Sequence, residues 1–329
     1  MAKETKDATP LRVGTNPNEI IGLEDEKKVL ELCIKHNLPA LLIGETGVGK
    51  TYLVVSEAKK IGKRCVRVSV NGELGINEIV GKWLVKNGST YWQDGILVEC
   101  MRRGDWIILD EINVAQPEIW MCINSVLDDS RSIILSEKDG ELVVPHPDFR
   151  VFATMNPSEG YAGTKEMNPA LMSRFKVVMK LGYYDPYVEL EILKYQTDID
   201  DNIGRMIIDV GNAIRKLKLD QQILYPCGTR DLVNWAILLA CNGNSLAETF
   251  KYSVMNKCSD DDARAIAEVA KRALKVEINW NSSKEKIITS LTSDLVKDIE
   301  TLKAKKRDLV KSVDDLQAKV AQVKEQINT

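Results

Sequence analysis

The chain has 329 residues, of which 44% are hydrophobic and 28% charged. That is enough to bury a sizeable core and to build more than one structural unit. A net charge of −3 and a pI near 5.7 supply no overall field for a phosphate backbone, so any nucleic-acid role needs a local basic patch. Seven widely spaced cysteines without a Cys-x-x-Cys pair, together with two histidines, form neither a disulfide framework nor a zinc site.

Residues 1–15 are polar and charged, without the apolar core of a signal peptide, and read as a flexible N-terminus. The longest apolar stretch, Trp235 to Cys241, is far too short to cross a bilayer, so a reducing, cytoplasmic setting is expected. Pro39 to Ile43 predicts a short buried strand, and Lys50 to Ile61 carries apolar residues at helical spacing. Between them lies Gly44-Glu45-Thr46-Gly47-Val48-Gly49-Lys50-Thr51, a complete G-x-x-x-x-G-K-[ST] phosphate loop at a strand-to-helix turn. Glycine there permits the positive φ that turns successive N–H groups inward, and the helix N-terminus adds partial positive charge. Lys50 is placed to reach the β- and γ-phosphates of a nucleoside triphosphate, and Thr51 to ligate Mg2+.

Further strand-like runs follow at Cys65–Val70, Trp106–Leu109, Arg150–Thr154 and Val177–Leu181, separated by helical patterns. Such alternation predicts an α/β fold with a parallel sheet. Two β-hairpins interrupt it. The first joins Trp83–Val85 to Thr90–Trp92, and the second joins Ile133–Leu135 to Leu142–Val144 around Lys138-Asp139-Gly140. The run Trp106-Ile-Ile-Leu109 ends in Asp110 and Glu111. At the C-terminal edge of a parallel strand beside a phosphate loop, Asp110 can hold Mg2+ through water and Glu111 can deprotonate the attacking water. Asn71, ending the second strand, is the candidate to restrain Glu111 until a substrate engages.

Beyond Gly182 the pattern is helical. Asp185-Pro186 supplies an N-cap with proline at the first helical position, and Ser259 caps a later helix with Asp262 three residues on. Residues 16–182 are therefore read as the nucleotide-binding domain and 183–276 as a small all-helical domain. In residues 283–329, Leu302, Lys306, Leu309, Val313, Leu316, Val320, Val323 and Ile327 alternate spacings of four and three, the seam of a coiled coil.

Gly44 to Thr51, Asp110-Glu111-Ile112-Asn113, Phe152-Ala-Thr-Met-Asn156-Pro157 and Asn168-Pro-Ala-Leu-Met-Ser-Arg174-Phe175 together resemble the AAA+ ATPases of the MoxR and dynein-related group. The cobaltochelatase ATPase subunit and the midasin modules stand near that group. The two hairpins resemble its helix-2 insert and the hairpin before its sensor strand. The resemblance implies a P-loop NTPase with a helical lid, and it assigns ATP, with Mg2+, as the nucleotide. It implies Asn156 as the sensor 1 group at the γ-phosphate and Arg174 as an arginine finger acting on a neighbouring subunit. Arg230, in Gly228-Thr-Arg230 at a helix start, corresponds to sensor 2, and Ile21-Gly22 to the segment packing on the base. A finger supplied in trans implies a homo-oligomer, usually a hexameric ring. The C-terminal coil departs from the minimal pattern and is expected to break the ring's symmetry or dock another protein.

These features predict an ATP-driven motor that remodels or activates a client protein, with a von Willebrand A domain or a metal-insertion role as candidate client properties. Two alternatives stay open. A nucleic-acid motor draws on Lys82, Trp83, Lys86, Tyr91 and Trp92, opposed by Glu73 and Glu78. A nucleotide-gated scaffold with the coil as its output is opposed by Glu111.

Overall fold

A computed structural model describes residues 20–70, 72–157, 167–242 and 245–274. The chain divides into two compact units, residues 1–242 and 243–329. In the first, α1 (Glu24–His36) leads to β1 (Ala40–Gly44), and α2 (Lys50–Lys60) leads to β2 (Cys65–Ser69). Then come α3 (Ile76–Ile79), the hairpin β3 (Gly81–Lys86) and β4 (Ser89–Asp94), α4 (Ile96–Arg103) and β5 (Trp106–Asp110). A 3-10 turn at Ile112–Val114, α5 (Pro117–Leu127) and the hairpin β6 (Ile133–Leu135) and β7 (Glu141–Val143) precede β8 (Arg150–Met155). The short α6 (Pro169–Met172), β9 (Val177–Leu181), α7 (Pro186–Thr197), α8 (Asp201–Leu219) and α9 (Thr229–Asn242) complete it. The second unit holds α10 (Leu246–Ser253), a 3-10 turn at Met255–Lys257 and α11 (Asp260–Leu274).

Five parallel strands form one sheet in the order β2-β5-β8-β1-β9. Both faces are covered, which explains why the strands read as nearly continuous apolar runs. Alternation along each strand divides the core. Leu41, Ile107, Leu109, Val151 and Ala153 pack with Leu97 and Met101 of α4 and Ile119 and Ile123 of α5. Ala40, Leu42, Ile108 and Phe152 pack with Leu30 of α1 and Leu53 and Val54 of α2. Each fully buried Leu, Ile, Val or Phe side chain among these contributes about 1.5–3 kcal/mol relative to exposure.

The order has a functional consequence. Strand β8 pairs with β1 on one side and β5 on the other, so its end stands between the phosphate loop and Asp110. Asp110 itself is a strand residue in register with Ser69, one position beyond the sequence boundary at Leu109. Strand β7 begins at Glu141 and stops at Val143 rather than running from Leu142 to Val144, because Val144 precedes Pro145, which has no N–H for the ladder.

The hairpins are tied together. Trp83 lies opposite Trp92 with ring centroids 5.6 Å apart, edge to face, and the Trp83 indole N–H donates to the Glu137 carbonyl at 2.8 Å. Arg102 of α4 bridges Asp94 of β4 (2.8 Å) and Glu141 of β7 (2.6 Å). The Asp185 cap accepts from the Tyr187 N–H at 2.9 Å, and Ser259 Oγ accepts from the Asp262 N–H at 3.2 Å. Asn71 and the 283–329 coiled coil lie outside the described residues.

Candidate nucleotide site

The site forms where β1 ends. Gly44 closes the strand, and Gly47 and Gly49 adopt φ of 84° and 94°, so the loop doubles back with Gly49 as the N-cap of α2. Val48 drops into the core beneath it. Each remaining loop residue meets the helical part of this unit: Glu45 takes an ion pair from Lys218 of α8 at 2.7 Å, and Thr46 places its carbonyl against Gly228. Gly47 faces the backbone of Arg230.

Lys50 is 8% exposed, and its ammonium donates to the carbonyls of Gly44 (2.7 Å) and Glu45 (2.9 Å) and to Asn156 Oδ1 (2.9 Å). Burial lowers its pKa to about 8, partly offset by the charges of Asp110, Glu45 and Glu111, while Arg230 lowers it further. Thr51 Oγ1 donates to Asp110 Oδ1 at 2.9 Å. Asp110 is 3% exposed and also takes hydrogen bonds from Thr154 of β8 on Oδ1 and Arg67 of β2 on Oδ2. Glu111 follows in the left-handed conformation, φ 59° and ψ 42°, a cost of about 1–2 kcal/mol for a residue with a Cβ. Its N–H reaches Thr154 Oγ1 at 3.4 Å, and Asn113 Nδ2 donates to the Asn156 carbonyl at 3.3 Å.

The structure therefore pairs Lys50 with Asn156 and Thr51 with Asp110, and seats Glu111 at the same strand edge. Beside the loop opens a cavity of about 310 Å³ lined by Ile21, Tyr52, Tyr184, Ile192, Tyr195, Arg230 and others. Gly22 borders Tyr184 at its edge. This apolar, aromatic space next to inward-turned amides suits a nucleoside base. Arg174 is not part of the cluster: its guanidinium is held by Asp128 Oδ1 at 2.7 Å and the Ala170 carbonyl at 2.8 Å.

The hydroxyl of Thr51 and the carboxylate of Asp110 converge as hard oxygens, the donor set Mg2+ takes when it shares its sphere with phosphates and water. Sequence reasoning missed Arg67, Thr154, Lys218, Tyr52 and Tyr184. Arg67 and Thr154 sit inside ordinary strands, where nothing in spacing marks a polar residue as turned toward Asp110. Tyr184 carried a faint signal in its position just before the Asp185 cap.

A five-stranded parallel sheet with this strand order, a glycine loop at the end of β1 and a carboxylate at the end of β5 define a P-loop nucleotide-binding protein. Residues 39–175 match the AAA domain of the dynein-related subfamily, and residues 189–273 match the CbbQ/NirQ/NorQ C-terminal family. The chain is 31% identical to protein NorQ of Paracoccus denitrificans, over 72% of this chain and 86% of the relative. It is 32% identical to protein CbbQ of Hydrogenophilus thermoluteolus, over 66% and 83%. It is 29% identical to the denitrification regulatory protein NirQ of Pseudomonas aeruginosa, over 80% and 96%. The chain belongs to the MoxR-like, dynein-related AAA+ ATPases of the NorQ, NirQ and CbbQ type. Among the described residues no helix is long and apolar enough to cross a membrane.

Proposed function

We propose that this chain hydrolyses ATP to ADP and phosphate as a protomer of a ring, and uses the cycle to remodel or activate a partner protein. The observation that carries this reading is the convergence of Lys50, Thr51, Asp110 and Asn156 beside Glu111. In this reading Lys50 exchanges its present acceptors for phosphate oxygens, and Asn156 orients the attacking water. Glu111 takes the proton from that water. Mg2+ held by Thr51 and Asp110 would neutralise phosphate charge as the leaving group departs. Arg230 approaches from the same protomer and Arg174 from the next one, each a cation placed where oxygen charge accumulates.

The partner is read as a protein because one relative is named a subunit of aerobic cobaltochelatase, which sets it beside other subunits, while another is named a denitrification regulatory protein. Residues 183–276 serve as the lid in this reading, and the tied hairpins as the surface that meets the client. The indole N–H of Trp83 is spent on Glu137 and its ring on Trp92, which favours cross-strand packing over a platform for bases. A pull-down with full-length Glu111→Gln in the presence of ATP tests the proposal. One protein co-purifying only with nucleotide is expected, whereas nucleic acid alone would replace the protein client with a nucleic-acid track.

A further inference from the structure

Arg67 is a cation at Asp110 that neither the phosphate-loop motif nor the strand-end carboxylates announce. It lies on β2 in register with Ile108 of β5, two residues before the Ser69–Asp110 pair, and its Nε bonds Asp110 Oδ2. The Arg67 side chain is 61% exposed while the Asp110 side chain is 4% exposed, so the arginine reaches from the sheet edge to a carboxylate sunk in the site. The two carboxylate oxygens consequently have different partners. Oδ2 belongs to Arg67, and Oδ1 faces the hydroxyls of Thr51 and Thr154.

A carboxylate with two free oxygens can rotate about its terminal torsion, which is broad and roughly two-fold. Pinning Oδ2 removes that freedom and leaves Oδ1 aimed at Thr51, the direction from which a metal shared with Thr51 must approach. Arginine suits this task because its planar guanidinium stays charged and keeps its direction. Partners that orient a metal-binding group from behind typically change metal affinity by about 10–100-fold when removed.

We infer that Arg67 is a positioning residue for Mg2+: by holding Asp110 Oδ2 it presents Oδ1 beside Thr51, and so sets the metal concentration at which the nucleotide is fully gripped. The inference rests on the proposed Thr51–Asp110 metal site. It separates metal dependence from nucleotide affinity, because the bond Arg67 makes is to Asp110 and not to the phosphate loop.

The test uses the full chain and a fluorescent, non-hydrolysable ATP analogue, with binding followed first in EDTA and then as Mg2+ is added. For Arg67→Gln the Mg2+ midpoint rises about tenfold while affinity in EDTA stays at the wild-type value. Arg67→Lys, which keeps the charge on a flexible stem, gives a smaller rise. A merely structural ion pair would lower the melting temperature and leave the midpoint in place. An unchanged midpoint in every variant that folds, or an equal loss of affinity in EDTA, overturns the inference. Failure of the unaltered chain to bind the analogue at all would instead defeat the nucleotide-site reading.

Discussion

Lys50 shows how the site is poised before any ligand arrives. Its ammonium is buried against two carbonyls and an amide oxygen, neutral acceptors that compensate a charge only in part, so burial holds its pKa near 8 instead of 10.5. The unfolded chain keeps the higher value. Between about pH 8 and 10.5 the unfolded state therefore binds the additional proton, and the contribution of this residue to stability rises with pH. Nucleotide binding carries the opposite sign, since phosphates favour the ammonium. Affinity for ATP should fall by up to tenfold per unit as pH rises through about 8, whereas Lys50→Arg, charged throughout, should give a flat profile in the same titration. A slope shared by both variants would place the titrating group elsewhere. Glu111 poses a separate question at this scale. Its left-handed backbone is tolerated at a strand end where glycine would be easier, which points to a side chain retained for its chemistry. Glu111→Gln is expected to bind ATP normally and to lose about 10²–10⁴-fold in turnover, measured by phosphate release.

Among the elements, the join between α7, α8 and the start of α9 does most to place Arg230. Glu189 of α7 is fully buried and meets Arg215 of α8 through two bonds of 2.7 and 2.8 Å, while Thr229 Oγ1 donates to the same carboxylate at 2.6 Å. Arg215 also donates to the Cys227 carbonyl at 3.0 Å and stacks 4.2 Å from the Tyr183 ring centroid. This network fixes the turn Cys227-Gly228-Thr229 that lies against the phosphate loop. Removing one partner strands a buried charge: Arg215→Met should cost about 3–5 kcal/mol in urea unfolding, and Arg215→Met with Glu189→Met should recover most of it. Equal losses in the single and double variants would show that Arg215 packing, not its charge pairing, carries the stability. At the other end of the sheet, Arg102 joins the two hairpins through Asp94 and Glu141. Both ion pairs are partly exposed and contribute little to stability, so Arg102→Ala should leave the melting temperature nearly unchanged while faster amide exchange appears in β6 and β7.

For the whole molecule the decisive residue is Arg174, which a single protomer holds through Asp128 and Ala170 and not at its own phosphate loop. If the proposed ring assembles, Arg174→Ala and Lys50→Ala should each be inactive alone. Mixing them should restore part of the turnover, because a Lys50→Ala neighbour still offers its arginine to an intact loop. No recovery in co-assembled mixtures would mean that the finger, if one is used, comes from the same chain.

The sequence by itself determined the strand-to-helix phosphate loop, the five strands, both hairpins and the Asp110-Glu111 edge, because each is written in local terms. Glycine spacing, period-two and period-3.6 apolar patterns and turn residues depend on neighbours along the chain. What only the tertiary structure decided is how those pieces meet. The strand order that inserts β8 between β1 and β5 brings Asn156 to Lys50 and Thr154 to Asp110, and puts Arg67 at Asp110 from β2. Such contacts join residues far apart in the chain, and their partners are chosen by packing of sheet faces, which no local pattern encodes.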